Sequence, residues 1–170
     1  MTNTVNDPHA ANLIGFWDFQ PGDPTADTGL ADGIAQDGHT HGDASFSGGQ
    51  LHTDGSNDYF DVEADNGNGS DAPFDLTEGT VSVRFTQDHH VGSSPDSVVN
   101  RGEKDDKDDE GWFELRVTED GRVEAEHHDG GNSTLLQTED DFFEEGDTLE
   151  ASYSWSPATG ATLEVTNVTQ

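Results

Sequence analysis

The residues best suited to chemistry in this chain are oxygen donors. Asp54 and Asp58 bracket the turn Asp54-Gly55-Ser56-Asn57-Asp58, and Asp18 stands in an early apolar run. Two carboxylates and the turn's own carbonyls could therefore meet a third carboxylate around one cation. Hard cations such as calcium take about six to eight oxygen ligands, which makes calcium the cofactor that Asp18, Asp54 and Asp58 would hold, in a structural role. The same aspartates read equally as an ordinary turn standing in water.

Carbohydrate binding asks for an aromatic platform with polar groups around it. Arg84, Trp112, Glu114 and Arg116 meet that description, because each alternates with apolar neighbours and so belongs to the polar side of its strand. Catalysis finds less support. Glycoside hydrolysis needs two carboxylates flanking the scissile bond. Glu124 and Glu126 share a strand face at a spacing of about 7 Å, yet no apolar neighbour would raise the pKa of either, so both read as a solvated face. The histidine doublets His89-His90 and His127-His128 offer one ligand each at most, since adjacent strand residues point to opposite faces. His39, His41 and His52 could converge on a transition metal if their loops fold together.

These residues need rigid elements to position them, and the apolar pattern says which. Apolar runs are short, alternate with period two, and are divided by Gly, Asp and Asn; none keeps a helical period over three turns. Strands are predicted over 13–19, 44–47, 50–53, 58–63, 80–87, 97–101, 112–117, 122–127, 133–137, 148–155 and 161–166. Alternation sets their faces. Val81, Val83 and Phe85, then Phe113, Leu115 and Val117, then Leu149, Ala151, Tyr153 and Trp155 should point inward, with the intervening polar residues outward. One dry and one wet face per strand is the pattern of antiparallel sheets packed face to face, an all-β two-sheet sandwich. Asp-Gly pairs supply the tight turns; Asp120-Gly121, between two alternating runs, marks a hairpin, and Asp37-Gly38 is a further turn candidate. Residues 1–12 form a polar N-terminal segment and 13–170 a single domain, as the length of 170 residues suits.

Charge narrows the functions. The chain has 37 acidic against 6 basic residues, a formal net charge of -31. Self-repulsion of that size weakens a compact state unless cations screen or bind it, through high salt or through calcium. Nucleic acid is excluded as a partner, because phosphate binding depends on Lys and Arg releasing counterions. With no cysteine there is no disulfide, thiolate metal site or cysteine nucleophile. No stretch is apolar enough to insert in a membrane, and the N-terminus lacks the blocks of a classical signal peptide.

The order of segments resembles the laminin-G-like domains of the concanavalin A-like lectin and glucanase superfamily. The resemblance is carried by Ile14-Gly15-Phe16-Trp17-Asp18-Phe19, by Asp54-Gly55-Ser56-Asn57-Asp58-Tyr59-Phe60-Asp61-Val62, by the stretch from Phe74 to Phe85, by Val99-Asn100-Arg101-Gly102-Glu103, and by Gly111 to Val117 with the hairpin that follows. It implies a jelly-roll sandwich with a structural calcium near the 54–58 turn; the family's further strands after 161–166 have no counterpart before Gln170, which leaves open a shortened module, a fragment, or an edge completed by another chain. The Glu-x-Asp-x-Glu strand pattern of the family's glycosidases and the strand motifs of its lyases are missing, so a glycoside hydrolase or lyase ranks third. The resemblance points first to a non-catalytic, extracellular or cell-surface module that binds a glycan or mediates adhesion. Second comes an assembly module whose open sheet edge is completed by another protein chain.

Overall fold

The computed structural model describes residues 17, 19, 38–54, 57–62, 78–88, 91–101, 112–129 and 132–169. These are all-β: eleven strands in antiparallel sheets, with no helix among the described residues. They group into two compact units, one within Met1–Phe74 and one within Asp75–Gln170.

In the first unit β1 (Gly38–His41) pairs antiparallel with β4 (Tyr59–Val62), in the register His39 to Asp61 and His41 to Tyr59. Strands β2 (Ser45–Ser47) and β3 (Gln50–His52) form a hairpin. Its two-residue loop is Gly48-Gly49, both at positive φ, the combination that matches the twist of a tight hairpin. Apolar residues are sparse here, and aromatic rings take their place: Phe19 and Phe60 meet edge to face at 5.3 Å, and Phe19 lies 5.6 Å from Phe46. Gly38 belongs to β1 and has no positive φ, so the turn predicted at Asp37-Gly38 is not found at Gly38. The residue is small for another reason: a Cβ would stand 2.0 Å from the Phe60 ring. The strand predicted at 13–19 lies outside the described residues except for Trp17 and Phe19, neither of which is in a strand.

The second unit has two sheets. One has the order β11-β10-β5, made of β5 (Gly79–Thr86), β10 (Thr148–Ser156) and β11 (Gly160–Asn167). The other is a meander of β6 (Asp96–Arg101), β7 (Trp112–Val117), β8 (Val123–Asp129) and β9 (Asn132–Gln137). Both sheets feed one hydrophobic core. Leu115, Val117, Val123 and Ala125 enter it from the meander, Leu149, Ala151 and Tyr153 from the three-stranded sheet, and Val91 and Phe143 from the connections. Val81, Val83, Phe85 and Trp155 pack against it half-buried. Each of these strands alternates in the phase that the sequence dictates, because a one-residue slip would carry every apolar side chain to the wet face.

The Asp120-Gly121 hairpin is present between β7 and β8. Gly121 has φ 70 and donates its N–H to the Thr118 carbonyl at 3.0 Å. Its own carbonyl receives the Phe142 N–H at 3.0 Å, which ties the turn to the segment carrying the core residue Phe143. Strand β1 was not expected from sequence.

Candidate functional site

Two groups of polar side chains are organised by this framework. The first lies on the acidic turn of the first unit. Asp58 Oδ1 accepts the Asp43 backbone N–H and Asp58 Oδ2 that of Asp54, each at 2.9 Å. The turn is thus wrapped around one carboxylate. Asp43, Asp54 and Asp58 each bring an oxygen within 4.8 Å of the others, the single such group of three potential metal ligands among the described residues. Backbone strain is accepted to achieve this. Asn57 sits at φ 65 and Gly42 at φ 69, and a Cβ on Gly42 would stand 2.1 Å from Asp58 Oδ1.

The electrostatics follow the hydrogen bonds. The backbone N–H groups of Asp54 and Asp43 hold Asp58 below the usual carboxylate range. A side-chain hydrogen bond with Asp58, together with the charges of Asp58 and Asp54, pushes Asp43 above it. Three carboxylates in one turn are a repulsive arrangement that a cation would relieve. Of the residues expected from sequence, Asp54 and Asp58 come together and Asp18 lies outside the described residues. Asp43 was missed. Its signal was faint: it stands 15 positions before Asp58, and only the β1–β4 register brings it close.

The second group covers the polar side of β7 and β8. Arg116 points away from the core and is enclosed by three glutamates. Its Nε donates to Glu124 Oε2 at 2.9 Å, and its Nη1 to Glu114 Oε2 at 3.1 Å and Glu126 Oε2 at 2.8 Å. The Arg116 side chain is only 14% exposed and that of Glu124 only 10%. Burial works against its charge, but the hydrogen bonds and charges of the glutamates outweigh that and raise its pKa. The reading of Glu124 and Glu126 as a solvated face is therefore corrected: cross-strand pairing sets Arg116 directly opposite Glu124, and the fork geometry of the guanidinium gathers both.

Beside this cluster the Trp112 ring stacks on His128 at 4.5 Å, and His128 Nε2 lies 3.7 Å from Glu126 Oε1. Trp112 is 8% exposed, so it is a covered ring and no open platform. Arg84 is elsewhere. It projects from β5 on the polar side of the three-stranded sheet and pairs with Glu150 at 3.1 Å, between cross-strand hydroxyl pairs Ser82–Ser152 and Thr86–Thr148. Of the four carbohydrate candidates the structure brings Trp112, Glu114 and Arg116 together on β7, and does not bring Arg84 to them.

His52 does not join His39 and His41 on the β1–β4 ladder; it sits on β3 with Nε2 3.3 Å from the Ser47 carbonyl oxygen. His127 faces the core, its Nδ1 3.1 Å from the Tyr153 hydroxyl, while His128 faces the opposite way, as adjacent strand residues must. His89 and His90 lie outside the described residues. No helix among the described residues is long and apolar enough to cross a membrane. Comparison with protein-family models, with curated proteins and with solved structures found no match.

Proposed function

We propose that this chain is a non-catalytic extracellular or cell-surface module of the laminin-G-like, jelly-roll sandwich kind that binds glycan through the polar side of its four-stranded sheet. The observation that carries the reading is the Arg116 cluster. A guanidinium fixed among Glu114, Glu124 and Glu126, next to the Trp112–His128 stack, presents immobile acceptors and donors on a rigid sheet. Preorganised polar groups of this kind suit hydroxyl-rich ligands, because little side-chain freedom remains to be lost on binding. Arg84, on the other sheet, has no part in that surface.

Cations belong to the same proposal. Calcium at Asp43, Asp54 and Asp58, or high salt acting on the whole chain, offsets the charge of -31. A glycan array read with and without calcium tests the reading. Specific retention of one glycan class, lost on Glu126→Gln and accompanied by no release of reducing ends, supports it. Absence of retention in both conditions, or cleavage of the bound sugar, overturns it.

A second reading has its own observation. Strand β11 ends the order β11-β10-β5, and its eight residues pair with β10 alone among the described residues. Such an edge accepts a further strand, so the module would join another protein chain by strand addition. A concentration-dependent oligomer that is indifferent to sugars favours this second role over the first.

A further inference from the structure

We propose that His39, His41 and Asp61 form a transition-metal site on the exposed face of the β1–β4 ladder, separate from the carboxylates of the acidic turn. His39 and His41 are two residues apart on one strand and so share a face. Antiparallel register sets Asp61 opposite His39 and Tyr59 opposite His41 on that same face. The other side of the ladder carries Gly38, Thr40 and Phe60, with the Phe60 ring held by Phe19. The histidine face is therefore fixed by aromatic packing behind it.

Two of the three ligand atoms already stand together. His41 Nε2 lies 3.0 Å from Asp61 Oδ1. Ligands about 2.0–2.2 Å from a tetrahedral zinc stand roughly 3.3–3.6 Å apart, so a small opening of this contact admits the ion between nitrogen and oxygen. The imidazole of His41 is also oriented, stacked on Tyr59 at 4.2 Å with the rings 10° from parallel. His39 is exposed, and its Cα lies across from that of Asp61, at the roughly 4.5–5.5 Å of directly opposed strand residues. The three ligand atoms do not all lie within 4.8 Å of one another, so a side-chain rotation of His39 is required to carry its ring to the ion, with water completing the shell.

Two imidazoles and one carboxylate define the class of ion. Zinc, nickel and copper suit nitrogen donors, whereas calcium takes oxygens, so the two clusters of this unit sort cations by hardness. His41 and Asp61 are 41% and 42% exposed at their side chains, which leaves an approach from solvent.

The test uses the whole chain in high sodium chloride, where loose association of ions with surface carboxylates is screened. Copper(II) is titrated while nitrogen hyperfine structure is read by electron paramagnetic resonance, and zinc binding is followed by calorimetry. The expected result is one site per chain with two equivalent-type nitrogen couplings, unaffected by excess calcium. His39→Gln, which alters an exposed side chain, should retain the fold by circular dichroism, weaken zinc by at least about tenfold and remove one nitrogen coupling. His41→Gln should do the same. Unchanged spectra and affinity in His39→Gln and His41→Gln, or zinc displaced by equimolar calcium, overturn the assignment.

Discussion

Replacing Arg116 by methionine keeps the bulk of the side chain and removes its charge, which isolates what the guanidinium does on β7. Each of its contacts with Glu114, Glu124 and Glu126 has donor and acceptor at 3.1 Å or less, and with charge centres about 4 Å apart is worth about 4 kcal/mol of gross attraction at the effective dielectric of a partly wet site. Mutual repulsion of the three carboxylates and the desolvation of an arginine side chain that is 14% exposed take back most of that sum. Removal of the cation leaves the repulsion and the burial of Glu124 uncompensated. Breaking such a pair at a fully buried site costs about 3–5 kcal/mol, and partial access to water lowers the expectation here to about 2–4 kcal/mol. Urea unfolding in high sodium chloride, with the denaturant slope checked for constancy, measures it. Adding Glu124→Gln to Arg116→Met should restore part of the loss, since the two residues share one network. A loss below about 0.5 kcal/mol for Arg116→Met, the ordinary range of a surface change, would refute the picture of an interlocked cluster.

Leu115→Ala, at a fully buried position that both sheets surround, should cost about 2–5 kcal/mol by the same unfolding measurement. Gly42→Ala should destabilise by more than about 1 kcal/mol, because alanine at positive φ is strained and its Cβ meets Asp58; the calcium-induced rise in melting temperature should shrink with it. Asp58, held low in the folded chain, contributes stability above its unfolded value that is lost as pH falls through the folded one. Asp43, pushed up, behaves oppositely: its contribution is full below the unfolded value and is lost as pH rises through the folded one. Calcium should therefore raise the melting temperature most near neutrality and least in acid, which a pH series of melts with and without calcium reads directly. Tyr153, pushed up to about 12 by burial, should stay protonated in the folded chain past the ordinary tyrosine value. Its stabilising contribution is lost as pH rises toward about 12, so phenolate absorbance should appear together with unfolding.

What the sequence made legible was direction along single strands. Trp112–Val117 has the bounds expected of it, and Phe113, Leu115 and Val117 are inward, because burial on one side leaves a period-two trace that needs no knowledge of partners. Strand β1 left no such trace. Gly-His-Thr-His has no apolar residue, and its pairing rests on backbone bonds to β4 and on room for the Phe60 ring over Gly38. Asp43 was missed for the same reason, since its place beside Asp58 depends on that ladder. Alternation also separates inside from outside without saying which sheet an outward residue joins. Arg84 and Arg116 are both outward, yet one stands on the three-stranded sheet with Glu150 and the other on the four-stranded sheet among glutamates. Cross-strand register, which brings Glu124 to Arg116, is likewise a property of pairs and is invisible in either strand alone.

Glycan contact with the polar side of the four-stranded sheet is tested most directly by nuclear magnetic resonance of the labelled chain, titrated with the sugar that an array retains. Shifts should concentrate on the Arg116 Nε–H and Trp112 indole N–H signals and on the amides of β7 and β8, with the sugar recovered intact. Shifts confined to β5, β10 and β11, or sugar cleaved during the titration, would contradict the proposed function.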